Sequence, residues 1–285
     1  MSVGKKLALS YIRSKFRILS SVSPAKAAEK AFQLFCTPQF RNSKPPPKVF
    51  ETAEKLSFKL GNDTVRGFRF NHPSNKKILI CHGFESTIIN FEKYIDPLIK
   101  HGFEILAFDA PAHGMSSGKK INILLYQEMI NTIVAKFGPV KNFMGHSLGG
   151  LALSLYLESV PHDESFKLVL IAPAASTKRA IDNFFKFLRL NNNVRSEFDQ
   201  LIYALAKHEP EWYSIERAAQ NINARVLFLQ DKHDDMTPVE DVYPIMNKNL
   251  PNFRFIISEG LGHRRIYRDN GSFHSIINFF SEEKN

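Results

Sequence analysis

The sequence predicts an α/β protein with a mostly parallel central sheet, helices on both faces of that sheet, and a helical insertion before one of the last strands. Three observations support this prediction. From residue 78 onward, short apolar strands alternate with helical segments, a pattern typical of parallel sheets that are covered on both faces. A Gly-x-Ser-x-Gly turn at residues 145–149 lies between a strand and a helix. The alternation stops at residues 173–220, where a helical, phenylalanine-rich stretch interrupts it.

The core begins with an antiparallel hairpin, because two β-like runs at 55–60 and 64–70 flank the turn sequence Gly61-Asn62-Asp63. The strands that follow are short and apolar, and we place them at 78–81, 104–108, 140–144, 166–171, 226–229 and 253–257. The helices predicted between them are 91–100, 121–137, 150–158, 239–248 and 272–280.

The net charge of +10 is concentrated near the N-terminus. Residues 1–50 contain ten Lys or Arg and one acid, Glu29, whereas the rest of the chain has 28 basic and 27 acidic residues. The body therefore offers no basic stripe, and nucleic-acid binding is not expected.

Within this basic segment, Leu9, Ile12, Phe16 and Leu19 recur at helical spacing and predict an amphipathic helix. Two interpretations of that helix stay open. The first, which we favour, is a surface helix that docks on its own domain and leaves its lysines in solvent. The second is a peripheral contact with an anionic membrane surface.

Composition points to a cytoplasmic protein. No stretch approaches 18 uninterrupted apolar residues, and the N-terminus lacks the apolar run and cleavage site of a secretory signal. Cys36 and Cys81 show no metal spacing and are expected to be thiols in a reducing compartment. The ten histidines include no His-x-x-x-His pattern. We therefore expect neither a metal site nor a cofactor.

The interruption at residues 173–220 is too long for a simple loop in a compact domain and predicts a structure of its own, often a lid. Its apolar face could instead only pack on the sheet domain, and both roles are compatible. We divide the chain into a basic N-terminal helical segment (1–50), an α/β core (51–172 and 221–285) and a helical cap (173–220).

The turn at Gly145 to Gly149 has the pattern of a nucleophile elbow. Such a turn holds its serine in a strained backbone conformation, and larger flanking side chains would collide with the neighbouring strand and helix. A predicted strand at 140–144 and a predicted helix at 150–158 give Ser147 the required context. The alternative is an inert serine in a glycine-rich turn.

A serine hydroxyl needs a base, a carboxylate that orients the base, and N–H donors for the developing oxyanion. His263 follows the last strand between glycines, and Asp234 follows the strand near residue 229. Both positions lie after strand C-termini, where open α/β sheets place their sites. Asp231 and Asp235 are alternative candidates for the carboxylate that orients the base, although Asp231 is expected to anchor the turn. His146 adjoins the serine, and a structural role is favoured for it over that of a base.

Several segments in this order resemble the motifs of the α/β-hydrolase superfamily, and the resemblance extends from about Leu56 to Phe280. Ala112 stands where glycine is common in that superfamily, and Thr237 replaces a valine. The matching segments are His82-Gly83-Phe84, Asp109 to Ser116, Gly145 to Gly149, Asp234 to Pro238 and Gly260 to His263.

The resemblance implies two-step acyl transfer. Ser147 would attack a carbonyl, His263 would take its proton and Asp234 would hold the imidazole, while the backbone N–H groups of Leu148 and Phe84 would bind the oxyanion. Three further residues are expected to have supporting roles. His82 is expected to hold the oxyanion loop by hydrogen bonding. For Asp109 and His113 a loop-fixing role is favoured over a second acid–base pair.

The sequence hypothesis is a serine hydrolase that cleaves a small-molecule carboxylic ester with an apolar moiety. A thioesterase or a carbon–carbon bond hydrolase with the same triad is an alternative, and a catalytically silent ligand-binding module is another. The residues expected to contact substrate are Phe84, His146, Phe184, Phe185 and Trp212.

Overall fold

The computed structural model describes residues 3–41 and 44–282. The chain forms two compact units: Met1–Thr37 with Ser176–Ser214, and Pro38–Ala175 with Ile215–Asn285. Part of the predicted N-terminal segment 1–50, at residues 1, 2, 42 and 43, lies outside the described residues. Within the described ranges, no helix combines the length and the apolar character needed to cross a membrane.

The larger unit contains one eight-stranded sheet in the order β1-β2-β4-β3-β5-β6-β7-β8. The predicted hairpin is confirmed as the antiparallel pair β1 and β2, and β2 also runs antiparallel to β4. All other neighbours are parallel, as predicted. The strands are β1 Glu54–Leu60, β2 Asp63–Phe70, β3 Lys77–Cys81, β4 Glu104–Asp109, β5 Asn142–His146, β6 Lys167–Ile171, β7 Arg225–Asp231 and β8 Phe253–Ser258.

The helices predicted at 91–100, 121–137, 150–158 and 272–280 are confirmed to within two residues at each end, whereas the short helix Gly262–Arg265 was not predicted. The single helix predicted at 239–248 is wrong: a 3₁₀ turn at Val239–Asp241 precedes a separate short helix. Pro244 has no N–H to donate to the preceding turn, and it stands in the first turn of the short helix, the position where proline is favoured. The helices are α1 Val3–Val22, α2 Pro24–Phe35, α3 Glu92–Lys100, α4 Ile123–Phe137, α5 Leu148–Ser159, α6 Thr177–Leu188, α7 Asn192–Ala206, α8 Ile215–Ala218, α9 Tyr243–Met246, α10 Gly262–Arg265 and α11 Asn270–Ser281.

The central strands of the sheet are buried along almost their whole length. Their side chains form a core with α3 and α11, and each fully buried aliphatic or aromatic side chain contributes about 1.5–3 kcal/mol. Because β3, β5, β6, β7 and β8 are parallel and adjacent, the loops at their C-terminal ends meet at one edge of the sheet. That edge carries the candidate site.

The smaller unit is built from α1, α2, α6 and α7. Buried alanines on α2 (Ala27, Ala28 and Ala31) allow close helix packing, and the rings of Phe185 and Phe198 meet edge to face at 5.1 Å. The predicted apolar face of α1, with Phe16 at its centre, packs into this core. The favoured docking interpretation of that face is therefore confirmed.

The boundaries of the units differ from those predicted from the sequence. The N-terminal helices and the inserted helices share one core, whereas the sequence analysis assigned them to separate segments. An amphipathic pattern shows which face of a helix is buried but not what covers it. The function of residues 173–220 as a lid stays a prediction. Cys36 and Cys81 are buried and not joined by a disulfide.

Candidate active site

Ser147 has the backbone geometry of a nucleophile elbow. It joins β5 to α5 with φ 53° and ψ −122°, a left-handed conformation that is strained for a residue with a side chain. Its N–H donates to the carbonyl of Ile171, and its own carbonyl accepts from Gly150. A Cβ at Gly149 would lie 2.5 Å from the carbonyl oxygen of Cys81. Only glycine permits this approach, which agrees with the predicted need for small flanking residues.

His263 and Asp234 meet at the same edge of the sheet. The Nδ1 atom of His263 lies 2.8 Å from Oδ2 of Asp234, and both side chains are buried. The other carboxylate oxygen, Oδ1, accepts from the backbone N–H groups of Met236 and Thr237 at 2.9 and 2.8 Å. The Thr237 hydroxyl donates to Oδ2 at 2.7 Å. These donors fix the carboxylate in a single orientation toward the imidazole.

The protonation state of this pair follows from its surroundings. Burial alone would raise the pKa of Asp234, but the hydrogen bond and the attraction to His263, together with the bonds from Thr237, outweigh burial and lower it. The carboxylate is therefore ionised at neutral pH, and the imidazole places its proton on Nδ1 to donate to it. In this tautomer Nε2 of His263 has a free lone pair and can act as a base.

His146 connects the elbow to the loop that carries His263. Its Nε2 atom donates to the backbone carbonyl of His263 at 3.0 Å, and the two rings lie 4.7 Å apart. Burial, helped by the nearby His263, lowers the pKa of His146 to about 3. The neutral ring thus has the structural role favoured from the sequence, and its contact with substrate stays a prediction.

The hydroxyl of Ser147 forms no hydrogen bond with any residue that the structure describes. Its neighbour His146 nevertheless bonds the main chain of His263, so the elbow and the loop that carries His263 are joined by a hydrogen bond. Catalytic hydrogen bonds are often long before substrate binds.

The loop after β3 approaches the serine through its backbone. A Cβ at Gly83 would lie 2.8 Å from Cβ of Ser147, so a larger residue would push the loop away. The next residue, Phe84, and the first residue of α5, Leu148, both have N–H groups without an acceptor among the described residues. At Leu148 this is expected, because the first N–H groups of a helix have no partner within it.

His82 supports this loop, as predicted. Its Nε2 atom accepts from the N–H of Ala110 at 2.9 Å, so its proton is on Nδ1, which donates to the carbonyl of Gly83 at 2.8 Å. Burial lowers the pKa of His82, outweighing the attraction of Asp109. The ring is neutral and connects the end of β4 to the loop after β3.

His113 and Asp109 complete the support of the loop. His113 accepts from the N–H of Glu85 and donates to the carbonyl of Pro111, and burial lowers its pKa to about 3. Asp109 accepts from the Thr87 hydroxyl at 2.7 Å and from two further backbone N–H groups. Their predicted loop-fixing roles are confirmed.

Asp231 anchors the turn beside Asp234. It accepts from the Ser258 hydroxyl at 2.7 Å and from the N–H groups of His233 and Leu261 at 3.0 Å. Burial would raise the pKa of Asp231, but these bonds together lower it to about 2. The carboxylate therefore ties the end of β7 to the loop that carries the imidazole. Asp235 is exposed, and Asp234 is the carboxylate in contact with His263.

The residues expected to bind substrate have varied surroundings. Phe84 is half-buried with its ring 5.7 Å from that of His113. In the smaller unit, Phe185 lies in the helical core, Phe184 packs against the same cluster, and Trp212 stacks on His208 at 4.1 Å. Their contacts with substrate stay predictions.

One contact of this site was missed in the sequence analysis. The Thr237 hydroxyl bonds Asp234 and lies 3.1 Å from Nδ1 of His263. The sequence contained a signal for this contact, because Thr237 stands where the corresponding α/β-hydrolase motif has valine.

Comparison with known proteins supports this architecture. Residues 72–232 match the family model described as "Serine aminopeptidase, S33"; the match includes the elbow serine and ends before Asp234 and His263. The Bacillus subtilis protein YqkD is 23% identical over 244 residues, covering 78% of this chain and 77% of that protein.

Two solved structures show the same fold. The Pyrococcus furiosus esterase Pf2001 aligns with a TM-score of 0.62 at 20% identity, covering 86% of this chain and 96% of that one. The Paleococcus ferrophilus monoacylglycerol lipase aligns with a TM-score of 0.58 at 22% identity, covering 80% of this chain and 98% of that one.

Proposed function

The chain belongs to the serine aminopeptidase S33 family of α/β-hydrolases and is a serine hydrolase of that fold; we propose that it cleaves a carboxylic ester with an apolar moiety through an acyl-enzyme on Ser147. The observation that carries the proposal is the 2.8 Å contact between His263 Nδ1 and Asp234 Oδ2 at the sheet edge that carries the elbow. A buried, ionised carboxylate facing Nδ1 leaves Nε2 as a base.

The reaction proceeds in two steps. The Ser147 oxygen attacks the ester carbonyl carbon while Nε2 of His263 takes the hydroxyl proton, and Asp234 stabilises the imidazolium. The oxyanion accepts hydrogen bonds from the N–H groups of Leu148 and Phe84. When the carbon–oxygen bond to the alcohol breaks, the leaving oxygen takes the proton from Nε2.

The acyl-enzyme is then hydrolysed. Nε2 of His263 takes a proton from water, the resulting hydroxide attacks the acyl carbon, and the Ser147 oxygen leaves and regains the proton. Loss of one oxyanion donor in such a site typically slows the reaction by about 10²–10³-fold. Since both donors are backbone groups, the Phe84 side chain is available to contact the acyl group.

The preference for an apolar moiety is supported by the loops of the larger unit. Phe84 in the oxyanion loop is half-buried. Met236, two residues after Asp234, is 53% exposed, and Met115 in the neighbouring loop is also exposed. Flexible methionines and aromatic rings at the rim of a site adapt to apolar ligands.

A panel of p-nitrophenyl esters tests the proposal. We expect kcat/KM to rise by at least tenfold from acetate to octanoate, and Ser147→Ala to abolish turnover of every ester. Ser159→Ala, at the exposed end of α5, is the matched control and should retain wild-type rates. A kcat/KM independent of chain length would contradict the apolar moiety, and turnover by Ser147→Ala would contradict the nucleophile.

Two further substrates test the alternative reactions. An octanoyl thioester reports thioesterase activity, and alanine p-nitroanilide reports the aminopeptidase activity in the family's description. A higher kcat/KM for either substrate than for the best ester would replace the proposed substrate class. Absence of turnover with all three classes would leave a carbon–carbon bond hydrolase or a ligand-binding module, of which only the hydrolase should react with a fluorophosphonate at Ser147.

A further inference from the structure

Helix α1 has two apolar faces, and only one of them is used in packing. The first face, with Phe16 at its centre, is covered by the other helices of the smaller unit. The second consists of Leu7, Tyr11, Ile18 and Val22, which are 67%, 70%, 65% and 79% exposed. We call these four residues the outer stripe.

The members of the outer stripe lie on one side of the helix, with the exposed Ser14 between Tyr11 and Ile18. Its members are separated by four, seven and four positions, and residues at these intervals lie above one another on one side of an α-helix. Single exposed apolar residues are ordinary on protein surfaces. Four in one row on a helix whose other face is already buried indicate a surface that contacts something apolar.

The charges of the helix identify the chemistry of that partner. α1 contains five basic residues and no acidic residue. Lys15 and Arg17 are exposed and flank the outer stripe on its two sides. Arg13 is different: its guanidinium donates to the carbonyl of Phe187 at 3.0 and 2.6 Å, so it serves packing within the smaller unit.

We propose that the outer stripe is a membrane-docking surface, on which α1 lies parallel to an anionic lipid bilayer. The apolar side chains would enter the boundary between headgroups and acyl chains, while the flanking cations would contact lipid phosphates. This inference does not depend on the proposed catalytic activity.

Two other occupants fit less well. A second copy related by a two-fold axis would bring two helices of the same positive charge together, which opposes association. A nucleic acid would satisfy the cations but would leave the four apolar side chains in water, because phosphate contacts dominate such binding.

Co-sedimentation of the full chain with vesicles tests the proposal. We expect binding to vesicles of phosphatidylcholine with 30% phosphatidylglycerol, much weaker binding to pure phosphatidylcholine, and a decrease as NaCl rises. Lys15→Glu with Arg17→Glu should weaken binding at least about 25-fold, since each basic residue near an anionic surface contributes roughly fivefold. Equal binding to both vesicle types would show that binding does not need anionic lipid and would overturn the proposed role of the basic residues.

A second pair of variants tests the stripe itself. Tyr11→Ser with Ile18→Ser should weaken binding at least about tenfold and leave ester turnover unchanged. The matched control is Tyr203→Ser with Leu205→Ser on α7, two side chains 51% and 54% exposed in the same unit, which should bind like wild type. Circular dichroism melts establish that each variant is folded.

Three results would overturn the proposal. The first is unchanged vesicle binding by the stripe variant. The second is a wild-type dimer in sedimentation velocity that the stripe variant converts to a monomer, which would identify a second copy as the occupant. The third is tighter binding to a 20-nucleotide RNA than to anionic vesicles.

Discussion

Two pairs of aspartate and histidine lie at the same edge of the sheet and are hydrogen-bonded differently. In the proposed acid–base pair, His263 Nδ1 is 2.8 Å from Asp234 Oδ2. In the pair beside the proposed oxyanion loop, His82 Nε2 is 3.8 Å from Asp109 Oδ1. All four side chains are buried, so burial alone does not distinguish a base from a structural histidine.

The backbone makes the difference. His82 accepts a hydrogen bond from the N–H of Ala110, so the nitrogen that faces Asp109 has no proton to donate. The nitrogen of His263 that faces Asp234 receives no such bond and donates to the carboxylate instead. The carboxylate facing its N–H supports the proposed role of His263 as a base, whereas backbone groups bond both nitrogens of His82, which agrees with a structural role.

The largest effect expected from this comparison concerns the two aspartates. Asp234→Asn should lower kcat/KM by about 10⁴-fold, because the amide forces the wrong tautomer on His263. Asp109→Asn should lower Tm by several degrees and leave kcat/KM within about tenfold, because it disturbs a loop and not the base. Ester kinetics and calorimetry of both variants measure this. If Asp109→Asn lost as much kcat/KM as Asp234→Asn without a change in Tm, the two aspartates would not differ in role as proposed.

A smaller effect separates two carboxylates within one loop. Asp231→Asn should cost about 1–3 kcal/mol of unfolding free energy at pH 7, because a buried amide cannot accept all the bonds made by the carboxylate. The pKa of Asp231 is lowered to about 2 in the folded protein, so its stabilisation is complete above the ordinary aspartate pKa and is lost as pH falls toward 2.

Denaturant melts of wild type and Asp231→Asn between pH 7 and pH 2.5 measure this effect. The difference in unfolding free energy should shrink as pH falls. A difference that stays constant over this range would show that the carboxylate charge is not what anchors the turn.

The smallest effect compares two threonines, since each aspartate accepts a threonine hydroxyl at 2.7 Å. Thr237→Val should lower kcat/KM by about two- to tenfold, because one hydrogen bond that orients Asp234 is lost, and such a bond is worth about 0.5–1.5 kcal/mol. Thr87→Val, the matched control on Asp109, should lower stability and leave kcat/KM unchanged. Equal kcat/KM for wild type and both variants would show that the Thr237 hydroxyl does not assist Asp234.

Much of the larger unit could be predicted from the sequence, because its strands, its elbow and its loop motifs are local patterns. The hairpin, the alternation of strands and helices, and the elbow at Ser147 depend on residues close together in the chain. Non-local partners could not be predicted. No periodicity shows that α2 packs on α7, or that His146 would bond the carbonyl of His263, 117 positions away.

The proposed acyl-enzyme mechanism depends most directly on the identity of the nucleophile. Mass spectrometry of the protein treated with a fluorophosphonate should find the adduct on the peptide that contains Ser147, and Ser147→Ala should remain unlabelled while Ser159→Ala is labelled like wild type. An adduct on another residue, or labelling of Ser147→Ala at the wild-type rate, would contradict the account.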